Sequence, residues 1–68
     1  MKIPRFMKEF AGWVCDEIEG DENIDYFEMK EKFQEVKRIL HYYEIGMIHV
    51  REAMRALNEV QEGGKNNG

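Results

Sequence analysis

Tyr42-Tyr43-Glu44-Ile45-Gly46-Met47-Ile48-His49-Val50-Arg51-Glu52 is the stretch on which the fold turns. Apolar residues keep one heptad-like register on both sides of it. Tyr26, Met29, Phe33, Val36, Leu40 and Tyr43 precede Gly46, and Met47, Val50, Met54 and Leu57 follow it. Read straight through, the register makes one helix over 25–61, about 55 Å long at 1.5 Å per residue. Such a helix needs a partner to cover its far half. Read with a break, Gly46 is a left-handed cap and Met47 packs back on Tyr42, the Schellman pattern. Glu52 then becomes the third residue of a new helix and Ile48 staples to Ala53. His49 is a weaker cap than Ser or Asp. The break is the preferred reading. It predicts an all-α, small three-helix bundle with helices at about 4–19, 25–45 and 49–61. The alternative is a helical hairpin with one long helix, 25–61, that dimerises.

Upstream, Ile3, Phe6, Met7, Phe10, Trp13, Val14 and Ile18 recur at three- and four-residue steps, which predicts a helix. Pro4 suits its first turn, and Gly20 stops it ahead of the polar linker Gly20-Asp21-Glu22-Asn23. Asp25 is a good N-cap for the second helix, with Glu28 three residues on to complete a capping box. Phe10, Trp13, Phe33, Val36, Leu40, Met54 and Leu57 are the expected core. Ile39 and Ile45 widen the second helix's stripe, which predicts apolar surface left for a homodimer.

The 68 residues set one domain, expected at 1–62, with 63–68 a disordered tail. No stretch reaches the ~20 apolar residues that a membrane span needs, and the opening lacks the apolar core of a secretory signal. Lys2, Arg5 and Lys8 beside Phe6, Phe10 and Trp13 could describe an interfacial membrane helix, but so short a chain needs that stripe for its core, so no membrane partner is expected. The single Cys15 excludes an internal disulfide and points to a reducing, cytoplasmic location.

Catalytic arrangements are not expected. The chain has no Ser or Thr, which removes hydroxyl nucleophiles other than tyrosine. The acids after Cys15 would raise its pKa rather than activate it. Asp21, Asn23 and Asp25 imitate the first half of a calcium loop, yet Tyr26 stands where glycine is needed and Lys32 where a bidentate Glu is needed. His41 and His49, eight apart, lack the remaining ligands of a zinc site. Neither a metal nor a cofactor is expected, and the chain reads as a non-enzyme.

Charge is the remaining signal. The net charge of −4 conceals a run from Asp16 to Glu31 with eight acids against Lys30 alone. Asp25 and Glu28 suit the start of the second helix, where the dipole welcomes them. Asp16, Glu17 and Glu19 fall at the end of the first, where negative charge is unfavourable. Acids kept at an unfavourable end suggest another use. The expected function is therefore a small acidic protein-interaction module. Asp16, Glu17, Glu19, Asp21, Glu22 and Asp25 would dock on a basic surface of a partner protein. The chain would act as an inhibitor, adaptor or regulatory subunit, and a nucleic-acid-binding groove is one surface it could block. The alternative is a small DNA-binding regulator that uses Lys30, Lys32, Lys37, Arg38, Arg51 and Arg55 of the second and third helices. The interleaved Glu35, Glu44, Glu52 and Glu59 stand against it.

Overall fold

A computed structural model describes residues 2–62. They form α1 (Arg5–Glu19), α2 (Tyr26–Glu44) and α3 (Val50–Glu62), with no strand among the described residues. The three-helix bundle is the fold, and the single long helix over 25–61 is ruled out. The expected disordered tail, 63–68, lies outside the described residues.

The break falls at Gly46 because its backbone takes φ +84°, a conformation that costs other L-residues strain. The Met47 N–H donates to the Tyr42 carbonyl at 2.8 Å and the Gly46 N–H to the Tyr43 carbonyl at 3.0 Å, the paired bonds of a Schellman ending. The side-chain half of that expectation fails, since Met47 is 68 % exposed. α3 then restarts without a side-chain cap from His49. Instead the Glu52 carboxylate accepts from the His49 N–H at 3.1 Å, the reverse half of a capping box. Ile48 and Ala53 both join the core, as a staple requires.

α2 opens on Asp25, whose carboxylate accepts from the Glu28 N–H at 2.7 Å. The two ends of α1 fall close to where the sequence places them. Pro4 lies just before the first turn of α1, extended at ψ 152°, with its carbonyl accepting from the Met7 and Lys8 N–H groups. Gly20 ends α1 in the right-handed region, so its role there needs no left-handed freedom.

Met7, Ala11, Val14 and Ile18 of α1, Val36, Ile39 and Tyr43 of α2, and Ala53 and Leu57 of α3 form the buried core. Val36 and Leu57 meet the expectation. Phe10, Phe33, Leu40 and Met54 pack on its edge, half-buried. Trp13 does not belong to it, being 47 % exposed. The reason is that α1 turns the neighbouring stripe Met7, Ala11, Val14 and Ile18 inward, which leaves Trp13 on the flank of the helix. Ile39 is consumed in the core while Ile45 stays out, so the apolar row expected to remain for a dimer is split.

Candidate functional site

The chain runs up, down and up. The end of α1, the first turns of α2 and the last turn of α3 therefore share one pole of the bundle. A shallow groove of about 520 Å³ records this meeting, with Asp16, Glu17 and Asp21 on its wall, Ile18 and Ile24 at its apolar side, and Lys32 and Gln61 closing it. All six expected site residues lie at this pole and all are exposed. The topology adds two that the linear charge run omits, Glu59 and Glu62 in the last turn of α3. Lys32, reached from α2, is the cation set among them.

The six acids do not share one role. Asp25 caps α2. Asp21 Oδ1 accepts from the Asn23 N–H at 2.9 Å, an Asx turn that shapes the linker. Asp16, Glu17, Glu19 and Glu22 form no ion pair with a described residue. The first three crowd the last turn of α1, which carries no basic side chain of its own. Their field reaches Cys15: burial first, then the charges of Asp16 and Glu19, push the thiol above its ordinary pKa. Cys15 is thus held as a neutral, half-buried thiol at the edge of the core.

Two aromatic side chains stand beside the carboxylates. Tyr26 and Phe27, directly after the Asp25 cap, are 69 % and 73 % exposed. Lys30 Nζ sits 5.6 Å from the Tyr26 ring centroid, a cation–π contact that orients the ring. Tyr26 opens the heptad-like seam in sequence, but in the first turn of α2 its ring stays open to water. The signal that could have placed it is position: a seam residue next to an N-cap sits at the end of the stripe, where the core closes.

The basic residues are spread. Lys30 and Lys32 belong to the acidic pole, Arg51 to the opposite one and Arg55 to the middle of α3, and Arg38 pairs with Glu35 at 3.2 Å on the exposed flank of α2. Among the described residues no three His, Cys, Asp or Glu side chains cluster as a metal-binding group, and no helix is long and apolar enough to cross a membrane. Comparison with protein-family models, with curated proteins and with solved structures returned no match.

Proposed function

We propose that this chain is a non-enzymatic interaction module whose acidic pole docks on a basic surface of a partner protein. The observation that carries the reading is the exposed pair Tyr26 and Phe27 set among Asp21, Glu22, Asp25 and Glu28. Carboxylates steer encounter and fix orientation, while large aromatic side chains supply the buried area from which affinity comes. A solvated face kept only for solubility would have no use for two aromatic rings held open to water. Docking of this kind inhibits, adapts or regulates by occupying a surface, and a nucleic-acid-binding groove suits carboxylates that stand in for phosphates. The reading takes the cytoplasm as its setting and includes self-association as a homodimer. The DNA-binding alternative is not favoured, because its six basic residues are spread along α2 and α3 from one pole to the other, with Glu35, Glu44, Glu52 and Glu59 between them.

The test is capture from the native cell with two baits run in parallel, the wild-type chain and a variant carrying Glu19→Lys, Glu22→Lys and Phe27→Ala. The reading expects a basic protein retained by the first and lost from the second. Equal retention by both baits would remove the acidic pole from the account.

A further inference from the structure

We infer that α1 pairs with α1 of a second copy of this chain, antiparallel, through the row Phe6, Phe10 and Trp13. The inference rests on the self-association part of the reading above, and it shares Asp16 and Glu17 with the acidic pole. α1 carries two apolar stripes. Met7, Ala11, Val14 and Ile18 face the core. Phe6, Phe10 and Trp13, at steps of four and three, form a second stripe beside it. Phe6 is 54 % exposed, and the Phe10 and Trp13 rings lie stacked at 5.7 Å between centroids. Stacking holds Trp13 in place ahead of any partner, which lowers the ordering cost of covering it.

The occupant follows from charge and symmetry. Lys2, Arg5 and Lys8 stand at the start of α1 and Asp16, Glu17 and Glu19 at its end, all exposed. A parallel pair would set like charge against like. An antiparallel pair sets the basic half of each copy, with the positive end of its helix dipole, against the acidic half of the other. The aromatic row has the same symmetry. Phe6 and Trp13 are equidistant from the point between Glu9 and Phe10, so a two-fold axis there brings Phe6 of one copy onto Trp13 of the other. Such an isologous contact closes on itself and cannot grow into a fibre. In the dimer Asp21, Glu22, Asp25, Tyr26 and Phe27 stay open at both ends, which makes the docking module bivalent.

Sedimentation equilibrium of the full chain from about 5 to about 200 µM, a range that brackets micromolar dissociation, tests this. The mass should rise from 8.1 kDa towards twice that value at low salt, and less so at high salt. F6E, at an exposed position, should stay monomeric with the helical circular dichroism of the parent. Two charge variants make the decisive pair. K2E/R5E and D16K/E17K should each weaken self-association by about tenfold or more, and their equimolar mixture should restore it with a blue shift of Trp13 emission. A wild type that is monomeric throughout overturns the inference and the self-association reading together, leaving acidic docking to its own test. A dimer that persists in F6E, or a mixture that fails to associate, overturns the α1 face alone.

Discussion

The Met47 amide reaches back 2.8 Å to the Tyr42 carbonyl, and that bond is where one continuous apolar register becomes two helices. It depends on the left-handed backbone of Gly46. Apart from the local backbone, nothing lies within 4 Å of where a Cβ would stand at either Gly46 or Gly12, so neither site has a clash with a packed neighbour. Gly46→Ala should therefore cost about 1–2 kcal/mol from backbone strain alone. Gly12→Ala, inside α1, should stabilise by up to about 1 kcal/mol. Urea denaturation of the two variants measures the opposed signs. A long helix through residue 46 would make both substitutions stabilising.

The acids of the pole separate by the same kind of measurement. Asp25→Ala removes the bond to the Glu28 N–H and should cost about 1 kcal/mol. Glu19→Gln relieves an unfavourable charge at the end of α1 and should raise the melting temperature slightly at low salt. A loss of stability in Glu19→Gln equal to that in Asp25→Ala would give Glu19 a structural role and weaken its assignment to docking.

Cys15 reports the field of the pole. Its pKa is raised in the folded chain, so the neutral thiol is the form that folding favours. The associated stability is complete below the unfolded thiol's pKa and is lost as pH rises through the higher folded value. Alkylation of the folded chain should follow a titration displaced above that of the unfolded chain. Asp16→Asn with Glu19→Gln should move the midpoint part of the way back, since burial remains the larger cause. An unmoved midpoint would mean the two carboxylates do not act on the thiol.

Where local chemistry decides structure, this chain is legible. Gly46 and Asp25 announce their ends because a left-handed cap and an N-cap each depend on a few adjacent residues. Trp13 and Tyr26 are not legible in the same way. Both fall on helical stripes, and periodicity shows that a residue lies on an apolar stripe without showing whether another helix lies opposite it. α1 has two such stripes, and only the three-dimensional packing decides that Met7 and Ala11 go inward while Phe6 and Trp13 stay at the surface. The acidic run from Asp16 to Asp25 is visible in the chain. Its extension by Glu59 and Glu62, and the presence of Lys32 within it, exist only once the third helix returns to the same pole.

The central claim is that the acidic pole steers a basic partner, and its most direct measurement is the association rate of the recovered partner at two salt concentrations. Substituting Glu17, Glu19 and Glu22 with Lys should slow association by an order of magnitude or more at low salt with the fold intact. At about 1 M salt, where the screening length falls to about 3 Å, wild type and variant should converge. Equal rates for the two at low salt would contradict the claim and return these carboxylates to a solvated surface.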